Sequence, residues 1–160
     1  MRRIFVILFI ALFLHSCNTD NCSDKLGFKL DYHLFDNINM NGKSYCDLVN
    51  GALKADKQSV LELSKVDVGD FASYQHGAVL IEVINKLTES EYLKIINQLN
   101  DKEKKAIYYS YVWAGLEYTP NPKFAKKHIE VVFPELTKQL KITKKPMRQT
   151  LGFLISEKSK

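Results

Sequence analysis

The chain has 160 residues, a formal net charge of +5 and a hydrophobic fraction of 46%, which fits one domain with a buried core and excludes a purely polar, disordered chain. The charge is uneven, because residues 138–160 contain six Lys and Arg148 against Glu157 alone, a local charge of +6. We expect a solvated last helix there; contact with anionic lipid or an acidic partner is the alternative. Phe153 is the only aromatic residue of that stretch, which argues against nucleic acid as a partner.

The first seventeen residues have the layout of a secretory signal peptide. Arg2 and Arg3 precede an uninterrupted apolar run, residues 4–14, and the small residue Ser16 follows shortly after it. A helix of these eleven residues would span about 16 Å, whereas the hydrocarbon core of a bilayer is about 30 Å thick. We therefore expect the segment to be removed after export rather than kept as a membrane anchor.

The end of this segment resembles the lipobox of bacterial lipoproteins. Leu14 matches the aliphatic residue three positions before the cysteine, Ser16 matches the small residue just before it, and His15 departs from the usual small or apolar residue. The resemblance covers residues 1–17. It implies that Cys17 is acylated and becomes the new N-terminus, and that the protein is exported and lipid-anchored, in the outer membrane rather than the inner. An ordinary secreted protein cut near Ser16, or a retained signal anchor, is the alternative.

The sequence thus divides into residues 1–16 as a signal peptide, 17–25 as a polar lipidated tether and 26–160 as a single helical domain. Cys22 and Cys46 remain as an even pair in an oxidising compartment, so we expect a disulfide between them. It would close a loop of about 25 residues and stabilise the fold by roughly 3 kcal/mol on the chain-entropy model. Two free thiols are the alternative. No Cys/His spacing indicates zinc, and we expect no metal or cofactor.

Beyond the tether, the sequence predicts one short strand at most. Residues 27–35 alternate between apolar and polar side chains, which is a strand period, although an irregular or helical lead-in is the alternative. Residues 36–43 are rich in Asn and predict a loop. Helix-start signals then recur along the chain, at Ser44, Asp56, Thr88, Asn100 and Asn121. Thr88 and Asn100 each precede a Glu by three positions, the spacing of a capping box.

These signals predict an all-α fold of about seven helices with short connections. Residues 74–87 are apolar around most of a helix and should lie centrally in the core. Residues 44–118 form helix pairs that weakly resemble the hairpin arrays of HEAT or tetratricopeptide solenoids. Because no motif recurs at a fixed period, a compact irregular helical domain is equally consistent. Further helices are predicted over residues 121–132 and from Pro146 onward.

Histidines are the first candidates for chemistry, since no known catalytic motif is present. His76 lies near the start of the central helix, soon after Asp67 and Asp70, where it could contact a ligand or act as an acid or base. The alternative is a structural hydrogen bond to the preceding turn. We expect His128 on the apolar face of its helix and His33 exposed to solvent.

A group of aromatic residues is the second candidate. Tyr109 and Trp113 are four residues apart, so they share one helix face with Glu117 as a charged rim residue. Tyrosine and tryptophan outside the core are typical of protein interfaces. The alternative is a helix buried on two sides. Tyr111 and Tyr118 are expected in the core.

Size, tether and the missing catalytic motif favour a membrane-anchored lipoprotein that acts as a protein-binding or scaffold module of the cell envelope, and not an enzyme. Its expected partners are the bilayer, through acylated Cys17, and an envelope protein. One alternative is an immunity-type lipoprotein that neutralises a toxin. Another is an envelope enzyme using His76 with an acidic partner such as Asp70 or Glu82.

Overall fold

The computed structural model describes residues 22–31 and 34–140. The predictions for the signal peptide, for Cys17, for His33 and for the helix from Pro146 lie outside the described residues. Within them all regular secondary structure is helical apart from one two-stranded sheet, so the all-α prediction is confirmed.

The helices follow one another with short connections. They are α1 (Cys22–Leu26), α2 (Tyr45–Leu53), α3 (Lys57–Ser64), α4 (Asp70–Leu87), α5 (Glu89–Ile96), α6 (Asp101–Ala106), α7 (Trp113–Tyr118), α8 (Ile129–Val132) and α9 (Pro134–Gln139). A π-helical segment, Ile107–Val112, joins α6 to α7 without a break. The sheet consists of β1 (Asn39–Met40) and the antiparallel β2 (Lys43–Ser44).

Two of the predicted helix starts form complete capping boxes. The Ser44 hydroxyl accepts from the Asp47 amide at 3.2 Å, and the Asp47 carboxylate accepts from the Ser44 amide at 2.9 Å. Asn100 and Glu103 exchange the same pair of bonds at 3.0 and 2.9 Å. Each box satisfies amides that have no partner within the helix.

The capping box predicted at Thr88 is half formed. The Thr88 hydroxyl accepts from the Glu91 amide at 3.3 Å, but the Thr88 amide donates to the carbonyl of Ile84 at 2.9 Å. Thr88 lies between the two helices and is both the C-cap of α4 and the N-cap of α5. Its amide is therefore already satisfied by α4, and the Glu91 carboxylate is not needed to cap it.

The strand expected over residues 27–35 does not form in the described part of that stretch. The Gly27 amide donates to the carbonyl of Ser23, and the Leu30 amide donates to the Ser23 hydroxyl at 3.0 Å. Both amides therefore bond to Ser23 of α1 and are not available for pairing with another strand. The apolar residues Leu30 and Phe35 still enter the core, so the alternation marks burial of single side chains rather than a strand.

The hairpin β1–β2 lies in the stretch expected to be a loop. Gly42 takes the left-handed conformation that its turn requires, at φ +81°. Asn41 donates to the Glu62 carboxylate of α3 at 2.7 Å, and the Lys43 ammonium lies 3.7 Å from it. Hydrogen bonds from Gln58 and Asn41 lower the pKa of Glu62. This carboxylate therefore holds the hairpin on α3.

The folded domain begins inside the stretch expected to be a tether. Residues 22–26 form α1, in which Cys22 and Ser23 are buried. Polar composition suggested a solvated linker, but the disulfide described below brings this segment onto the domain. At most the residues before Cys22 can serve as a tether.

The helix expected over residues 121–132 is wrong except for its last turn. Residues 122–126 form turns, and Lys126 has φ +57°, which an α-helix does not accept. The Lys126 amide donates to the carbonyl of Leu116 at 2.8 Å, so the chain folds back on α7. Phe124 is buried, but His128 is exposed at the N-cap position of α8 rather than on an apolar face.

Helix α4 is the centre of the core, as its apolar circumference predicts. All but one of the residues from Gln75 to Ile84 are buried. It packs against α2, α5, the π-helical segment and α7. Helix α4 is therefore the element on which these four neighbours pack.

The closest approach is a glycine crossing between α4 and α7. A Cβ atom on Gly77 would overlap the carbonyl oxygen of Tyr111 and lie 2.8 Å from the Gly115 nitrogen, while one on Gly115 would lie 2.6 Å from the Gly77 carbonyl oxygen. Ordinary carbon contacts need about 3.5 Å or more. The two backbones are therefore in direct contact, with no room for a side chain.

Candidate functional site

His76, the candidate for chemistry, is fully buried in an aromatic core. Its Nδ1 lies 2.8 Å from the Tyr45 hydroxyl, and its ring meets Tyr111 edge to face with centroids 4.8 Å apart. Burial lowers the pKa of His76 to about 3, so the imidazole is neutral near pH 7. Its Nε2 has no hydrogen-bond partner among the described residues.

These contacts make His76 a link between segments. Tyr45 opens α2 and stacks on Phe35 with centroids 4.1 Å apart. Tyr111 belongs to the π-helical segment and donates its hydroxyl to Asp67 at 3.1 Å. His76 thus connects α2, α4 and the π-helical segment, which is a structural role rather than contact with a ligand.

The acidic residues suggested as catalytic partners have other neighbours. Glu82 accepts a hydrogen bond from Asn121 at 2.9 Å, Asp67 accepts from Tyr111, and Asp70 is exposed at the start of α4. A general acid or base needs hydrogen-bond reach to its substrate. A neutral histidine inside the core, with its Nδ1 engaged, gives the enzyme alternative no support.

Two surface grooves lie away from His76. One of about 280 Å³ lies between α5, α6 and the end of α9, and one of about 460 Å³ lies between α5 and the start of α3. Both mix apolar residues with exposed lysines. In the described part of the chain, no group of three or more His, Cys, Asp or Glu could hold a metal ion, and no helix is long and apolar enough to cross a membrane.

The cysteine pair singled out in the sequence, Cys22 and Cys46, forms a disulfide in the structure. The two Cα atoms are 5.3 Å apart, within the usual range for a disulfide. The Lys25 ammonium also donates to the Asn50 side chain at 2.7 Å. Both contacts join α1 to α2, so the N-terminal end of the domain has a fixed position.

The aromatic group expected as an interface is partly exposed. Trp113 retains 39% of its surface and Glu117 is exposed, whereas Tyr109 is half-buried and meets the Tyr108 ring with centroids 5.1 Å apart. We call Tyr109, Trp113 and Glu117 the Trp113 surface. Tyr109 lies at the edge of this surface, and Trp113 is its exposed aromatic residue.

This surface begins in the π-helical segment, which sequence reasoning missed. The Trp113 amide donates to the carbonyl of Tyr108, five residues back. Such segments are rare and often occur at functional positions. The run of Tyr residues around it has no pattern that distinguishes a π-helix from an α-helix, so no sequence signal would have found it.

A second aromatic surface was also missed. Phe71, Tyr74 and Tyr118 retain 53%, 40% and 36% of their surfaces, and the Phe71 and Tyr118 rings meet edge to face with centroids 5.8 Å apart. Tyr74 lies three residues after Phe71, on the same side of α4. We call these three residues the Phe71 patch. Exposed aromatic residues in contact with one another indicate an interaction surface.

The expectation that Tyr118 is a core residue is therefore wrong. Gly115 faces α4 at the crossing, and Tyr118 lies at the last residue of α7, where α4 covers it only in part. Trp113 is five residues from Tyr118 on the same helix, which places it about 140° further around the helix axis. The Trp113 surface and the Phe71 patch are thus two different faces.

Comparison of the chain with protein-family models, with curated protein sequences and with solved structures finds no match. The likeness to helix-hairpin arrays and to lipoprotein signals stays a prediction from the residues. The two aromatic surfaces and the fixed N-terminal end of the domain are the features of the structure that bear on function.

Proposed function

We propose that the protein is a bacterial lipoprotein, anchored through acylated Cys17, whose helical domain binds another protein of the cell envelope through the Trp113 surface. The exposure of the Trp113 side chain, which retains 39% of its surface, carries this proposal. Tryptophan and tyrosine are enriched among the residues that dominate binding energy in protein interfaces.

The packing of the helix that carries Trp113 favours a binding role. Trp113 begins α7, whose backbone contacts α4 directly at Gly115. This backbone contact leaves no space between the two helices, so the indole extends from a closely packed helix. A rigid aromatic side chain loses little conformational entropy on binding. Glu117, one turn further on, is an exposed charge at the rim.

A capture experiment tests the binding role. The full chain with a C-terminal tag is recovered from envelope extract, and the proteins captured by wild type and by Trp113→Ala are compared. We expect Trp113→Ala to weaken capture of a specific partner about tenfold or more, equivalent to about 1.4 kcal/mol. If that partner is a toxin, the protein is of the immunity type.

The matched control is Val131→Ala. Val131 is the most exposed of the large apolar residues described, at 74%, and lies on α8. Its replacement should leave capture unchanged. Equal capture by wild type and Trp113→Ala, with both proteins folded by circular dichroism, would rule out the Trp113 surface.

The anchor has its own test. Cys17→Ala should leave the protein without acyl chains, and either soluble or unprocessed, because the thiol is the acylation site that the lipobox resemblance implies. Fractionation of cells, with mass spectrometry of the N-terminus, measures this. A Cys17→Ala protein that stays in the membrane fraction at the mature size would show that the anchoring proposal is wrong.

A further inference from the structure

The N-terminal end of the domain leads directly to the Phe71 patch. The Ser23 hydroxyl of α1 accepts from the Leu30 amide at 3.0 Å, and the neighbouring Asp31 amide donates to the side chain of Gln75 at 2.8 Å. Gln75 is buried and directly follows Tyr74 of the patch. Two hydrogen bonds and two peptide units, Leu30–Asp31 and Tyr74–Gln75, thus connect α1 to the patch.

The distance from the anchor to the domain is short. Only five residue steps separate Cys17 from Cys22, and a fully extended chain of that length spans at most about 18 Å. The disulfide to Cys46 fixes the position of Cys22 on the domain. If Cys17 is acylated, the surface around α1 is therefore held close to the bilayer.

The chemistry of the patch suits the boundary between headgroups and acyl chains. Phe71 is wholly apolar, while Tyr74 and Tyr118 each combine an apolar ring with a polar hydroxyl, and such rings prefer this layer. Phe71 is 53% exposed, so a large apolar area would leave water on contact with lipid.

Exposed charges of both signs lie beside the patch, so its affinity for lipid must come mainly from its aromatic rings. Lys29, which directly precedes Leu30, is exposed. Lys126 is also exposed, and its amide donates to the carbonyl of Leu116, two residues before Tyr118. Lysines near a membrane attract lipid phosphates. Asp31, Asp70 and Glu117 are exposed opposing charges in the same region, because the Asp31 amide contacts Gln75 and Glu117 directly precedes Tyr118. We expect these carboxylates to stay in the aqueous headgroup layer.

We infer that the Phe71 patch docks on the surface of the phospholipid bilayer that holds the lipid anchor, with its three rings at headgroup level. The inference rests on the proposed acylation of Cys17. A patch of three side chains binds lipid weakly by itself, but the short tether keeps it at high effective concentration beside the bilayer. Docking there turns the Trp113 surface, about 140° around α7, away from the lipid and toward a partner.

The single tryptophan of the chain makes the orientation measurable. Wild-type protein, extracted from membranes in detergent, is reconstituted into vesicles of phosphatidylcholine and phosphatidylglycerol. A Phe71→Trp/Trp113→Phe variant, treated identically, moves the fluorophore into the patch. Quenching by brominated phospholipids reports whether the indole reaches the acyl-chain boundary. We expect at least twofold quenching and a blue shift for the variant, and no change for the wild type.

The outcomes separate this inference from the anchoring proposal. Flotation of the vesicles on a density gradient first shows whether the protein is anchored. A protein that does not float overturns the anchoring and the docking together. A protein that floats, but whose variant is not quenched, overturns the docking alone, as does quenching of Trp113 in the wild type. If the Phe71→Trp/Trp113→Phe variant is not quenched and a separate Phe71→Ser/Tyr74→Ser variant loses partner capture, the patch binds a protein instead.

Discussion

The two aromatic surfaces lie on the same pair of crossed helices but differ in what surrounds them. The Phe71 patch lies beside the segment that leads to the N-terminus, and exposed charges of both signs, such as Asp31 and Lys126, lie nearby. The Trp113 surface begins in the π-helical segment and ends at Glu117. Both are aromatic, but the Phe71 patch has three exposed rings whereas the Trp113 surface has one, that of Trp113. Their position relative to the N-terminal end is what distinguishes the proposed lipid contact from the proposed partner contact.

The glycine crossing holds both surfaces in place, and its disruption should have the largest effect. Gly77→Ala would place a methyl group in the backbone of the π-helical segment at Tyr111. Overpacking of this kind costs about 3 kcal/mol or more, although alanine is intrinsically better than glycine inside a helix by about 1 kcal/mol. We expect lower stability in urea unfolding and loss of both surface functions.

Gly69→Ala is the control for this prediction. A Cβ atom on Gly69 would meet nothing within 4 Å, and its φ is negative, so the change should cost less than about 1 kcal/mol. A Gly77→Ala protein as stable as the wild type would mean that α4 and α7 do not contact through their backbones.

Removal of the disulfide should have the next largest effect and should separate the two surfaces. Cys22→Ser/Cys46→Ser releases α1 from α2, and the chain-entropy model gives a loss of roughly 3 kcal/mol. At temperatures where the variant remains folded, capture through Trp113 should persist, because α4 and α7 are untouched. Lipid quenching at the patch should fall, because the patch is no longer held near the anchor.

Urea unfolding of the oxidised and the doubly substituted protein measures the stability difference. Equal stability would mean that the bridge adds nothing to the fold. Equal quenching in the two proteins would contradict the link between the bridge and the position of the patch.

The core beneath both surfaces should lose stability in weak acid. The folded pKa of His76 is about 3, below the unfolded value of about 6.5. The unfolded chain therefore binds the proton first, so this contribution to stability is complete above pH 6.5 and falls as the pH decreases toward 3. Between pH 7 and pH 5 we expect a loss of about 2 kcal/mol.

Replacement of histidines assigns this pH dependence. His76→Leu should be less stable at pH 7 by about 1–3 kcal/mol, because the Tyr45 hydroxyl loses its partner, but it should lose little more at pH 5. His128→Gln, at an exposed position, should keep the wild-type pH dependence. If His76→Leu keeps it as well, the histidine is not buried in its neutral form.

What could be predicted from the sequence is local. The caps at Ser44 and Asn100 depend on residues three positions apart, and the central position of α4 follows from its own apolar circumference. The Gly77–Gly115 contact joins residues 38 positions apart, and no pattern in either helix marks it. The exposure of Phe71 and Tyr118 depends on where α4 and α7 stop covering each other, which is a property of the packing.

The division of roles between the two surfaces is tested most directly by one side-by-side capture measurement. Full-length Trp113→Ala and Phe71→Ala proteins are compared with wild type in recovery of the same envelope partner at equal expression and equal fold content. We expect Trp113→Ala to lose the partner about tenfold or more and Phe71→Ala to retain it. Loss of the partner with Phe71→Ala but not with Trp113→Ala would contradict the assignment of the two faces.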